Sequence, residues 1–469
     1  MNLVVQKNKL WIIFAYITSI IIFFVNWFNV LDIYSLNYAT LFFAFIIVGG
    51  LSCFAWCCLE TKFFDPLTIV SLLYIMGMLV YPMYDYFRLE LTKGGVDTSF
   101  GCIKGTLIFL ISYVAFYIAY VSKSENGFKN KSKFFKKIDD VPDKRIYKIL
   151  LFVWFISLAG TVAGQVSRGF SLNYILSLGN AINNEQYISL SSSGLLFLLM
   201  LNPTVIVSAL GINIYGNNKV VKLFVVLITF LALFMRGSRM LMIVMLTSFA
   251  VYYYVKNNKG PSFKSVIATF LITLFIAAIM QIARTGIYAG KGFTEDLSDK
   301  ILSIETYMAP FESDFSTYKV YYGIIEAIPD KMDYLYGKGI FGYTVALIIP
   351  RALWPEKPDA PEREVVLNAI GQDAVDAGNA YPNIGIFYSE FGLIGCIVFM
   401  FIYGRLLSLS RCLAMMNSKS ALVLYSCLWP FCFQLTMRSV SNAVYSLFFG
   451  LLPFLCVYLL NRIFNISKR

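Results

Sequence analysis

Eight arginines, Arg88, Arg168, Arg236, Arg239, Arg284, Arg351, Arg363 and Arg438, stand at the ends of long apolar runs or in the segments joining them, away from most of the lysines. Positive charge in a membrane protein normally gathers on the cytoplasmic side, where it sets orientation. Guanidinium groups on the far side therefore need a chemical reason. Their planar forks grip phosphate oxygens in bidentate, charge-assisted pairs, so their placement favours a phosphorylated, lipid-borne ligand.

Three segments concentrate that chemistry. Met235-Arg236-Gly237-Ser238-Arg239-Met240 forms a tight turn between two apolar runs. Two guanidinium groups there stand beside backbone N–H groups exposed by Gly and Ser, an arrangement suited to a pyrophosphate. Each arginine alone could instead snorkel to lipid headgroups; the pairing argues against it. Arg284 follows where a run meets a long polar segment. Pro350-Arg351-Ala352-Leu353-Trp354-Pro355-Glu356-Lys357-Pro358 then has a backbone fixed by its prolines. Arg351 and Lys357 could hold a phosphate there while Trp354 stacks a sugar; the alternative is an interfacial tryptophan anchor with flanking charges. Arg438, beside Ser439, Ser441 and Asn442, is expected to face the same outer cavity, or else to be structural.

Glu390, in Ser389-Glu390-Phe391-Gly392-Leu393-Ile394-Gly395, lies near the start of an apolar run, where desolvation would make it a base. A salt bridge to one of the arginines is the rival role. Glu312 and Asp314 form an E-x-D pair that could take a divalent cation, although such a pair is ordinarily a solvated face. Histidine is absent, which removes imidazole bases and His-based metal sites. The nine cysteines lie in or beside apolar runs and read as small packing residues, with no disulfide framework in the large outer segment. No cofactor and no metal is expected.

The elements that must position these groups are membrane helices. Of 469 residues, 58% are hydrophobic and 14% charged, outside the proportions of soluble domains. Runs long enough to cross the ~30 Å hydrocarbon layer cover Leu10–Val30, Tyr38–Leu59, Pro66–Tyr84, Gly101–Val121, Ile146–Gln165 and Gly194–Tyr215. They continue at Val220–Met235, Met240–Val255, Lys264–Ala283, Gly385–Leu407, Ser420–Met437 and Val440–Leu460, twelve in all. The expectation is an all-α polytopic protein. The basic loop 122–145 and the other lysine-rich connections fall on one side, with both termini, so that side is cytoplasmic. Only six of the 27 acids fall with them, which makes the net charge of +12 a cytoplasmic feature. Topology and attraction to anionic membrane lipids explain it; no nucleic-acid motif competes.

The chain thus divides into helices over 1–283, a large outer loop over 284–384, and helices over 385–469. A loop of about a hundred residues exceeds ordinary connections and usually carries function. Leu297–Ile328 alternates apolar and polar residues at helical spacing, predicting short amphipathic helices on the membrane surface. Gly337, Gly339 and Gly342 precede Tyr343–Ile349, which is too short to span and is expected to be re-entrant or packed on the bundle. A smaller outer loop, Val166–Ser193, reads as a lid or a flexible connection.

With the Arg-Gly-Ser-Arg turn at 236–239, the proline-bounded segment 350–358 and Glu-Phe-Gly-Leu-Ile-Gly at 390–395, the chain resembles the Wzy-type O-antigen or capsule repeat-unit polymerases. The resemblance implies a GT-C-like integral-membrane glycosyltransferase, independent of metal. It would join oligosaccharide repeat units carried on undecaprenyl pyrophosphate at the outer face of the bacterial inner membrane. Arg236, Arg239, Arg284 and Arg351 would bind the pyrophosphate and stabilise its departure, and a carboxylate would deprotonate the acceptor hydroxyl. A chain-length regulator and a flippase are the implied partners. Related O-antigen ligases use a histidine in the outer loop; its absence here favours polymerase over ligase. Polyprenol-phosphate-sugar transferases carry carboxylates in their first outer loop, whereas Asn29–Asn37 holds only Asp32. A lipid-linked oligosaccharide flippase or a solute transporter would place charge along a central path or show broken-helix repeats; both stay open as non-enzymatic readings.

Overall fold

The structure, a computed structural model, describes residues 10–58, 63–122, 133–166, 201–235, 239–262, most of 264–278, 315–349, 361–371, 381–438 and 440–466, together with Tyr307, Glu312, Trp354 and Glu356. It is almost wholly helical, with one two-residue hairpin pairing Thr92–Lys93 to Val96–Asp97. The helices are α1 (Leu10–Trp27), α2 (Ser35–Cys58), α3 (Pro66–Arg88), α4 (Cys102–Val121), α5 (Lys133–Asp139), α6 (Asp143–Val166) and α7 (Asn202–Tyr215). They continue as α8 (Lys219–Met235), α9 (Arg239–Lys256), α10 (Thr317–Ala327), α11 (Pro361–Ile370), α12 (Asn383–Met415), α13 (Lys419–Met437) and α14 (Val440–Ile466).

Eleven of the twelve expected apolar runs hold one of these helices; Gly194–Tyr215 is described only from residue 201, and the run Lys264–Ala283 only in part. Among the described residues, seven helices are long and apolar enough to cross a membrane. The protein is a polytopic membrane protein. Local chemistry sets the ends. Asp65 caps α3 by accepting from the Leu67 amide at 3.0 Å, with Pro66 at the first helical position where no N–H is needed. Ser418 caps α13 in the same way through the Ala421 amide. Inside α3 the turn widens at Met76–Val80, just before Pro82, whose missing N–H frees a carbonyl of the preceding turn.

Two apolar cores lie side by side. One gathers Tyr38, Phe45, Tyr74, Phe109, Tyr113, Phe116, Tyr321, Tyr322, Phe387 and Tyr403 from α2, α3, α4, α10 and α12. The other gathers Leu150, Trp154, Ile206, Leu210, Met242, Met245, Leu424, Phe431 and Phe454 from α6, α7, α9, α13 and α14. The late helix α12 lies directly on α4, so close that a Cβ at Gly404 would collide with the Phe116 carbonyl oxygen. Buried hydroxyls are satisfied between α12 and its other neighbours: Tyr74 of α3 donates to Asn383 Oδ1 at 2.8 Å, and Tyr403 of α12 and Thr436 of α13 bond at 2.9 Å.

Contacts of charged side chains among the described residues sort to the two ends of the bundle. At one end Asp65 pairs with Arg411 at 3.3 Å and accepts from Tyr120, Lys419 meets Asp143 at 2.7 Å, Arg145 meets Asn461 at 2.8 Å, and Arg405 reaches the Ser122 carbonyl at 2.8 Å. These all come from segments that the charge pattern assigned to one side. Arg88, Glu312, Lys319 and Glu390 lie toward the other.

Of the segment Leu297–Ile328, expected to carry surface helices, most of 297–314 lies outside the described residues, and the described helix departs from the amphipathic pattern. In α10 every residue from Thr317 to Ala327 except Glu326 is buried. Its polar positions face protein: Tyr318 donates to Asp85, Tyr321 to the Gly105 carbonyl, and Tyr322 bonds Thr106. A polar stripe reads identically in sequence whether water or buried acceptors satisfy it. The run after the glycines does pack on the bundle, where Thr344 donates to Ser441 of α14 at 3.1 Å.

Candidate functional site

The site is built on a break in α12. Phe391 (φ −144°, ψ 20°) and Gly392 (φ 63°, ψ −148°) leave the helical conformation, so the stretch beginning at Asn383 ends at Glu390 and a second begins at Leu393. Glycine is needed at 392, both for its left-handed φ and because a side chain there would press on the Tyr334 ring. The break frees helix carbonyls. Leu335 N–H donates to Ser389 O at 2.9 Å and Tyr336 N–H to Glu390 O at 3.0 Å, so the segment before the 337–343 turn docks into the notch.

Glu390 completes that junction. Its side chain is fully buried and takes the Gly337 amide at 2.7 Å on one oxygen and the Ile340 amide at 2.9 Å on the other. Gly337 (φ 89°) and Gly339 let the backbone wrap this closely; a Cβ at Gly339 would collide with the carboxylate. The carboxylate thus caps the first amides of the Lys338–Tyr343 turn, where backbone N–H groups favour negative charge. This is the geometry of a latch that positions the turn. Among the described residues no cation pairs with Glu390.

Of the sequence-derived ligand residues, Arg236, Arg284, Arg351, Lys357 and Arg168 lie outside the described residues. Arg239 opens α9, and its side chain is likewise outside them. Trp354 is 39% exposed. Arg438 is half-buried at the end of α13, its amide donating to Gln434 O at 3.1 Å, three residues before the Ser441 that holds Thr344. Arg88 is engaged locally, paired with Glu90 and, at 3.0 Å, with Glu312. That pair holds Glu312 in an ion pair, while Asp314 lies outside the described residues. Among the described residues no group of His, Cys, Asp and Glu is arranged to hold a metal ion.

Arg363 occupies a cleft of about 830 Å³ between the 331–338 segment and α11, sharing it with Lys331, Asp333, Tyr334, Lys338 and Glu364. One wall of the cleft is the segment that the α12 break and Glu390 hold in place.

Sequence reasoning missed a buried charge cluster. Asp85, at the end of α3, receives Lys319 Nζ and Tyr318 OH on one oxygen, both at 2.7 Å, with side-chain exposures of 8% for Lys319 and 1% for Asp85. Its other oxygen has no partner among the described residues. Nearby, burial pulls the Lys93 ammonium below its ordinary value, and the charge of Lys319 adds to the effect. The available signal was a carboxylate immediately after an apolar run, Pro66–Tyr84. Its partner stands 234 residues later, and nothing in the sequence pairs them.

A family model described as O-antigen polysaccharide polymerase Wzy matches residues 11–468. No curated protein and no solved structure matches the chain.

Proposed function

Since this chain belongs to the O-antigen polysaccharide polymerase Wzy family, we propose that it extends surface polysaccharide by joining undecaprenyl-pyrophosphate-linked repeat units at the outer face of the inner membrane. Family membership itself makes it a repeat-unit polymerase acting on lipid-linked oligosaccharides in a membrane. The observation that supports the finer reading is the breadth of that match, 11–468, over a helical bundle whose expected outer side gathers arginines, glycines and a loop whose described part, 315–349, packs on the bundle.

In this reading the acceptor hydroxyl attacks the anomeric carbon of the donor chain. The carbon–oxygen bond to pyrophosphate breaks, and undecaprenyl pyrophosphate departs with the electron pair. Arg236, Arg239, Arg284 and Arg351 grip the diphosphate, assisted by Lys357 and Arg438, and Trp354 stacks the adjoining sugar. Donors aimed at the departing charge act most strongly where water is excluded, and losing one typically costs ~10²–10³ in rate. The acceptor proton passes to a carboxylate. Glu390 serves by holding the 337–343 turn.

Deletion of the gene tests the reading. Loss of a polymerase leaves cores capped by a single repeat unit on a polysaccharide gel, whereas loss of a flippase removes even that unit. Arg239→Ala and Arg351→Ala at normal protein level should reproduce the deletion; full-length ladders from both would refute their roles. Purified protein should extend lipid-linked repeat units equally with and without a chelator.

A further inference from the structure

The cleft between residues 331–338 and α11 carries charges of both signs in a mixed order. Lys331, Lys338 and Arg363 are interleaved with Asp333 and Glu364, and Asn368 adds an amide. All five charged side chains are exposed, and among the described residues no ion pair joins any of them. Three cations against two carboxylates leave a single net positive charge, little to hold a diphosphate, whose charge the carboxylates oppose. Sugar hydroxyls both donate and accept, so they are served by carboxylates and cations together. The volume, about 830 Å³, falls within the ~300–1,000 Å³ of ligand pockets and leaves room for more than one pyranose ring.

An aromatic surface stands at the edge of the cleft. Tyr334 lines it, and Tyr336, which stands just outside that lining, packs edge-on against Tyr334, with ring centroids 6.1 Å apart at 71°. Tyr336 nevertheless leaves 68% of its surface exposed, and its backbone is left-handed at φ 49°. Such a conformation is costly for a residue with a Cβ and persists only where neighbours over-determine it. Here they do. The Tyr336 amide is tied to Glu390 O, and the next amide, Gly337, to the Glu390 carboxylate. An exposed ring held in a strained backbone beside a polar cleft is a platform for the C–H face of a sugar, which an apolar π-surface recognises.

We propose that this cleft is a saccharide subsite, binding the sugar portion of the repeat unit with Tyr336 as its stacking platform and Asp333, Arg363 and Glu364 as hydroxyl partners. The proposal rests on the polymerase reading for the identity of the saccharide, but not for the existence of the site.

The experiment uses full-length protein in nanodiscs and two probes: the repeat-unit oligosaccharide released from its lipid by mild acid, and inorganic pyrophosphate. Tyr336→Gly keeps the left-handed backbone while deleting the ring. It should weaken oligosaccharide binding at least tenfold and leave pyrophosphate binding unchanged. Tyr336→Trp should restore saccharide binding, and Glu364→Gln with Arg363→Gln, on the exposed face of α11, should weaken it independently. In the polymerisation assay the same variants should raise KM for the acceptor with kcat held. Unchanged oligosaccharide affinity in Tyr336→Gly and in the α11 double variant overturns the subsite, as does loss of pyrophosphate binding in their place. Wild-type protein that binds the oligosaccharide in a Tyr336-dependent way yet never extends lipid-linked units would sink the polymerase reading while upholding the cleft.

Discussion

Glu390→Ala separates a latch from a catalytic base. The carboxylate is fully buried and satisfies two backbone amides, Gly337 at 2.7 Å and Ile340 at 2.9 Å. Hydrogen bonds to a charged group contribute ~1.5–3 kcal/mol each. Two of them, lost together and partly replaced by entering water, correspond to ~2–4 kcal/mol. The bonds from Leu335 and Tyr336 to the Ser389 and Glu390 carbonyls survive the substitution, so the loss is confined to the turn. Amide hydrogen exchange, which reads local opening free energies, should then accelerate ~30- to 1,000-fold over 337–342 and little elsewhere. Glu390→Gln keeps one acceptor oxygen but turns an NH₂ toward the other amide, and should fall between. A latch predicts that polymerisation declines in the same order as protection, with Glu390→Gln retaining part of it. A base predicts that Glu390→Gln abolishes turnover while exchange stays as in the wild type. Unaltered protection of 337–342 in Glu390→Ala would refute the latch.

Lys319→Met leaves Asp85 buried without its cation, a change that typically costs ~3–5 kcal/mol; thermal denaturation in detergent should show a large fall, and Lys319→Met with Asp85→Leu should recover much of it. Gly404→Val drives a side chain into the Phe116 carbonyl and should cost ~1–3 kcal/mol by overpacking; an unshifted Tm would mean that α4 and α12 do not lie so close. Lys93 carries a pKa lowered by burial and by Lys319, so the folded protein binds fewer protons there than the unfolded chain between the lowered value and the ordinary 10.5. Stability must rise with pH across that window. Lys93→Gln removes the repulsion, so it should stabilise the protein at neutral pH and flatten the alkaline rise; a stability–pH curve parallel to wild type would contradict it.

The membrane class and the helices were legible in the chain because a lipid-crossing helix announces itself in consecutive residues: α2, α4, α6, α12, α13 and α14 begin within a few residues of their apolar runs. The lysine-rich connections likewise marked which ends meet, as Asp143 with Lys419 and Asp65 with Arg411 do. Periodicity saw the polar stripe of Tyr318, Tyr321 and Tyr322, but not that buried oxygens would take the place of water. Desolvation drew attention to Glu390, and only the folded chain supplied the amides of Gly337 and Ile340 that occupy it. Hydrophobic patterning is a local property of the sequence. The pairing of Asp85 with Lys319, the docking of residues 335–340 into the break of α12 and the cleft beside α11 depend on which distant segments meet, and that was settled by tertiary packing alone.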